Sequence, residues 1–209
     1  MPWAPDYVNL DDYLEYLRVQ EIAVEDDTVL PGNITAAARA IDRHCNRQFG
    51  KVAAPEARYY TARWSKSKCG WRIWVDDFQT VAGLAVALDL AGDGSYATTV
   101  DLADVVKLPH NAAQEDKPWE SLLLRGTSAT RPTGATGEVR VTVQWGWSAI
   151  PVTATEANKL QASRLTARRT APFGIAGSPE SGTELRLLAK VDPDVAVMLE
   201  GYRRRRWAG

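Results

Sequence analysis

The sequence predicts an α+β fold: a helical bundle, made of two N-terminal helices and further C-terminal helices, with an inserted antiparallel β-rich subdomain. Three observations point there. Apolar residues recur every three or four positions up to residue 49, the period changes to two from about 57 to 147, and helical spacing returns after Pro151. The organisation expected is residues 1–50 for the N-terminal helices of the core and 51–150 for the inserted β subdomain. Residues 151–209 then supply C-terminal helices, a Gly/Pro-rich loop and a basic tail that complete the core.

The first helix should start at Asn9, an N-cap residue with Asp12 three positions on and Val8 and Tyr13 placed as a hydrophobic staple. Leu10, Tyr13, Leu14 and Leu17 continue it as an apolar stripe. A second helix is expected from Asp27 or Asn33 to about Gln48, with Pro31 tolerable only in its first turn. Ile34, Ala37, Ala38, Ile41, Cys45 and Phe49 form its buried face, and Gly50 is positioned to end it.

Strands are expected in ARYYTARW, WRIWVDDF, VAGLAVALDL, part of YATTVDLADVVKL, SLLLRG and GEVRVTVQWGW. The turns between them are SKSKCG, AGDGS and SATRPTGATG, and a sandwich or half-barrel is implied. In the last strand Val139, Val141, Val143, Trp145 and Trp147 alternate with Arg140, Thr142 and Gln144, so the two sets face opposite ways. Thr153 and Glu156 read as the capping box of a following helix that runs through Ala157, Leu160, Arg164 and Leu165. APFGIAGSPESGT (171–183) reads as a loop and ELRLLAK as a short strand. Asp192-Pro193 opens a closing helix with Val195, Met198, Leu199 and Tyr202 on one side.

Apolar residues make up 45% of the chain and charged residues 24%, the balance of a soluble globular protein. The longest apolar run, VAGLAVALDLAG, is broken by Asp89 and is far short of a membrane span, so no membrane partner is expected. The acidic start MPWAPDYVNLDD has no basic n-region, so no signal peptide is expected. The net charge of −1 hides a gradient. Residues 1–50 hold nine acids and four bases, whereas residues 159–209 hold five acids and ten bases. An acidic front and a basic end suit head-to-tail contact between copies, and a basic tail also suits nucleic acid.

IDRHCNRQFG sets His44 beside Cys45, but neighbours on a helix point about 100° apart and do not face each other. Cys45 continues the apolar stripe, where a thiol behaves as a small buried hydrophobe. Zinc takes about four ligands, and His44, Cys45, Cys69 and His110 are scattered, so no metal and no cofactor are expected. Asp76 and Asp77 are adjacent on a strand and point to opposite faces, which is poor for paired acid–base work. Asp89 to Gly94 reads as a hairpin turn rather than a calcium loop. Nothing argues for an enzyme. Trp64, Trp71 and Trp74 on one hairpin are read as core and subunit interface, with a sugar- or base-stacking platform as the alternative.

The stretches AARAIDRHCNRQFG, QWGWSAIPVT, ARRTAPFGIAG and DPDVAVMLEGYRRR, in this order, resemble the head–tail connector (adaptor) proteins of long-tailed double-stranded DNA phages. The resemblance covers nearly the whole chain. It implies two N-terminal helices, a β-rich insertion, a helix after the Pro-containing exit and a C-terminal segment after a Gly-rich loop. It implies a structural virion protein in the neck, assembled in the bacterial host cytoplasm. Such a protein forms a ring, usually a dodecamer, beneath the portal protein, meets a tail-side neck or stopper protein, and surrounds the DNA exit channel, where the DNA is a further implied partner through non-specific contact. It carries no catalytic residues. The candidate portal or subunit interface is then Tyr202, Arg203, Arg204, Arg205, Arg206 and Trp207, with Phe173 and Ile175 from the loop. The alternatives are a DNA-binding protein using the basic C-terminus and a Trp-rich carbohydrate-binding β module.

Overall fold

The computed structural model of the chain describes residues 3–22, 27–125, 130–170, 175–176, 185–186 and 191–204. It is an α+β protein that divides into two compact units, residues 1–3 with 50–149 and residues 4–49 with 150–209.

The second of these units is helical. Helix α1 (Leu10–Val19) begins as expected: Asn9 Oδ1 accepts from Asp12 N at 2.7 Å, and Val8 and Tyr13 are both buried. Tyr13 and Leu17 face the core, whereas Leu10 stays exposed at the helix start. A single 3-10 turn at Asp27–Val29 leads into α2 (Leu30–Cys45), so Pro31 falls in the first turn, where its missing N–H leaves no bond unmade. All six residues of the expected stripe, from Ile34 to Phe49, are buried.

The end of α2 differs from expectation. The helix stops at Cys45, and Asn46, at φ 52, takes the left-handed position expected of Gly50. Asparagine tolerates that conformation better than other residues with a side chain, and the early stop frees Phe49 to turn back into the core.

Helix α3 (Val152–Thr170) also starts earlier than the Thr153 capping box implies. The carbonyl of Pro151 accepts from Ala154 N and Thr155 N, which makes Pro151 the cap, while Glu156 pairs with Lys159 at 2.9 Å. Its buried face is Ala154, Ala157, Asn158, Gln161 and Ala162, whereas Leu160, Arg164 and Leu165 are half-buried. Ala162 shares a buried cluster with Ala37 of α2. Asn158 Nδ2, fully buried, donates to the Ile34 carbonyl at 3.1 Å. The burial of α3 thus follows residue size more than hydrophobicity. Helix α4 (Pro193–Leu199) has the expected Asp192 cap and Pro193 start, with Val195 and Leu199 buried.

In the β unit, two four-stranded antiparallel sheets share one core. Counting β1 (Glu56–Tyr60), β2 (Ala62–Ser65), β3 (Gly70–Phe78), β4 (Ala85–Leu88), β5 (Thr98–Val100), β6 (Val105–Leu108), β7 (Trp119–Leu124) and β8 (Val139–Val143), the orders are β1-β8-β4-β5 and β2-β3-β7-β6. The chain changes sheet at Thr61, so ARYYTARW is two strands. Ile73, Val75 and Leu122 of one sheet and Val86, Val139 and Val141 of the other belong to the same buried cluster, closed by Phe78 and Trp145. The alternation in β8 is as expected, and it carries through to Trp145 and Trp147, both buried.

Two acidic residues of this unit each hold a turn through several donors. Glu138, 3% exposed, accepts from Thr133 N, Thr133 Oγ1 and Gly134 N at 2.7–2.8 Å, which fixes the Gly-rich segment before β8. Asp89 accepts from the backbone N–H of Gly92, Asp93 and Gly94, so DLAGDG is a turn.

Candidate assembly surface

The C-terminal segment is tied to the end of α2. Because Asn46 turns the chain out of the helix, the last carbonyls of α2 need partners. Arg204 N supplies one by donating to the Cys45 carbonyl at 2.7 Å, and Asn46 Nδ2 donates back to the Arg204 carbonyl at 3.3 Å. Tyr202, half-buried, meets the Phe49 ring edge-on at 5.7 Å. Of the candidate interface residues, Tyr202, Arg203 and Arg204 are therefore brought together against α2, with the Arg203 side chain exposed. Ile175 lies in a two-residue strand, Ile175–Ala176 (β9), paired antiparallel with Leu185–Arg186 (β10), where a loop is expected. Phe173, Arg205, Arg206 and Trp207, like most of the 171–183 loop, lie outside the described residues.

A buried polar node holds the same corner from the other side. Tyr7 donates to Asp42 Oδ1 and accepts from Phe49 N at 3.1 Å. Arg39, one turn before Asp42, lies 3.1 Å from its Oδ2 and donates to the carbonyls of Ala4 (3.0 Å) and Pro5 (2.6 Å). The residues before α1 are thereby strapped along α2. Burial raises the Asp42 carboxyl above the usual carboxylate range although Tyr7 and Arg39 favour its charge, and burial likewise raises the Tyr7 hydroxyl. Residue-by-residue reading missed this node. Its signal was a carboxylate at position 42, between Ile41 and Cys45 on an otherwise apolar face.

Cys45 is fully buried, and burial pushes its thiol up to about 12, so it is protonated and inert at neutral pH. His44 is half-buried on a different face. Burial first, and the Arg203 charge second, lower its basicity. Among the described residues no three of His, Cys, Asp and Glu gather as a metal site would need. Among them, too, no helix is long and apolar enough to cross a membrane. Asp76 and Asp77 do point apart: Asp76 Oδ2 accepts from Arg58 and Tyr60, while buried Asp77 accepts from Trp147 Nε1 at 3.1 Å.

The tryptophan hairpin is lined by arginines. Trp64 and Trp71 pair across β2 and β3 and meet edge-on at 5.7 Å, with the Arg131 guanidinium within 6 Å of both ring centres. The guanidinium of Arg72 lies 3.6 Å from the Trp74 ring centre. Arginine guanidinium groups thus lie against these rings, and Trp64 is 48% exposed.

No protein-family model matches the chain, and no curated protein matches it. Solved structures do, among them two neck chains. One is a chain of the neck of an empty GTA particle computed with C6 symmetry, 20% identical over 100% of this chain and 96% of that one, at a TM-score of 0.48. The other is a chain of the neck of a native GTA particle computed with C12 symmetry, 21% identical with the same coverage, at a TM-score of 0.49.

Proposed function

We propose that the chain is a non-catalytic structural protein of a phage-like neck: a head-to-tail adaptor that forms a ring beneath a portal and surrounds the DNA exit channel. The observation that carries the proposal is where the adaptor-like stretches lie in the fold. AARAIDRHCNRQFG supplies α2 and its exit, DPDVAVMLEGYRRR supplies α4 and the basic segment, and the two meet at Phe49–Tyr202 and Cys45–Arg204. The order of two helices, a β insertion and returning helices is the order the resemblance implies.

Head-to-tail contacts make rings when the rotation between copies closes, and the acidic front and basic end of the chain suit such contacts. The basic segment, held to α2 up to Arg204, is placed in this reading as the element that reaches the portal or a neighbouring copy. A tail-side neck protein takes the opposite face of the ring.

The test is electron microscopy of the purified chain alone and mixed with its portal. Rings, or ring-shaped additions under the portal, are expected. Monomers that leave the portal unchanged would sink the proposal. Removing residues 205–209, which spares the Arg204 contacts, should leave the fold intact and weaken portal joining, more so at higher salt. Joining equal to that of the full chain would assign the tail no part in assembly.

A further inference from the structure

We propose that the hairpin tip between β2 and β3 is a contact surface for the phosphate backbone of duplex DNA. In a chain of net charge −1, residues 62–74 carry Arg63, Lys66, Lys68 and Arg72 and no acid. Arg63, Lys66 and Lys68 are exposed, as is Arg131 beside them. None of these four is paired with an acid among the described residues. Arg72 is engaged otherwise. It stacks on Trp74, donates to Ser121 Oγ at 3.1 and 3.2 Å, and feels the charge of Glu120.

The register places the free cations around the tip. Ala62 and Ile73 pair on the buried face, so the next pair, Arg63 and Arg72, points to the other face. Trp64 and Trp71 return to the first face and carry Arg131 over their rings. Lys66 and Lys68 cap the turn, whose backbone is set by the left-handed Cys69. Positive charge thus flanks the ribbon on both sides and at its end.

That arrangement selects the partner. A protein interface would put an apolar centre inside a polar rim, and here Trp64 is the one exposed large apolar side chain of residues 62–74, outnumbered by the cations around it. Base stacking would need open aromatic faces; Trp64 has Trp71 edge-on against it and Arg131 5.5 Å from its ring centre. Phosphates remain. A duplex presents about one charge per 1.7 Å of its axis, and its major groove, about 12 Å wide, admits a two-stranded ribbon. Cations on both sides of the tip can then reach phosphates of both strands. This surface does not depend on the ring reading and stands or falls separately from it.

The test is fluorescence anisotropy of a short labelled duplex of mixed sequence, titrated with the full chain at salt concentrations from about 50 to about 200 mM. Four phosphate contacts give a log–log salt slope of about −3.6, a weakening of about 150-fold over that range. Lys66→Gln/Lys68→Gln should make the slope shallower by about 2, whatever other contacts add, with an unchanged far-UV spectrum. Single-stranded DNA of equal length should bind more weakly. An unchanged slope in the double variant overturns the proposal, as does tighter binding of the single strand. Competition by poly-glutamate as effective as by unlabelled duplex would also overturn it, because that reassigns the surface to an acidic protein.

Discussion

Gly146 sits where three segments of the β unit converge, and adding one methyl group there tests the account of that seam. Its N–H donates to the Asp77 carbonyl at 2.7 Å and its carbonyl accepts from Gln79 N at 3.1 Å. On either side of it, Trp147 N donates to Gly50 O and Val52 N to Trp145 O, each at 2.9 Å. The residue has φ 109, and a Cβ built on it would lie 2.0 Å from Gly50 O and 2.6 Å from Lys51 Cα. An ordinary C···O contact is about 3.3 Å, so backbone would have to move by about 1.3 Å against the bonds just named. Positive φ costs an alanine about 1–2 kcal/mol, and overpacking a rigid site adds about 1–3. Gly146→Ala should therefore lose about 2–5 kcal/mol, a large part of a typical domain's 5–15. Gly92 is the control: it also has positive φ, 72, but nothing lies within 4 Å of its added Cβ. Gly92→Ala should lose only about 1–2 kcal/mol. Urea unfolding followed by tryptophan fluorescence measures both. If the two variants fall within about 1 kcal/mol of each other, close approach of backbone is not what requires glycine at position 146.

Three further outcomes are expected. A thiol reagent should modify Cys69 quickly and Cys45 only on unfolding, because Cys69 is exposed and the Cys45 thiol is buried and protonated; two fast thiols per chain would contradict the packing of α2. Cys45→Ala should cost about 1–2 kcal/mol in lost packing and leave the proposed assembly unaffected. The third concerns Asp42. A raised native pKa means that the folded state takes up the proton first as pH falls. The stability of the wild type relative to Asp42→Asn should then rise as pH drops from that raised pKa towards about 4, the unfolded value, and fall again as pH rises through it. A pH-independent difference between the two in denaturant titrations would show that Asp42 titrates normally.

Element types were legible in this sequence where a local signal and the core agreed. The Asn9 cap, the Ile34–Phe49 stripe, the Asp192-Pro193 start and the alternation of β8 each needed only spacing and residue type. Where the sequence misled, a non-local contact had decided. Asn46 ends α2 in the left-handed conformation, Arg204, far along the chain, meets the carbonyl this exposes, and the Gly50 signal goes unused. Helix α3 buries Asn158 rather than Leu160 because the approach of α2 rewards small or hydrogen-bonded groups. The Tyr7–Asp42–Arg39 node joins residues 35 positions apart, so no window on the sequence displays it. Of the candidate interface, the residue types could be read, but the anchoring of Arg204 to Cys45 could not.

The bond from Trp147 N to Gly50 O places the two ends of the β unit side by side. The helical unit is discontinuous in sequence, and residues 49 and 150 must be brought together before α2 can meet α3. Closing that connection as a flexible loop of about 100 residues would cost about 4 kcal/mol of chain entropy beyond a constant. Once the sheets have formed, the intervening chain acts as a short staple and most of that cost is already met. Folding of the β unit ahead of the helices follows as the favoured order. A sequence change at the seam, far from any helix, would then slow the assembly of the bundle as well as loosen the sheets.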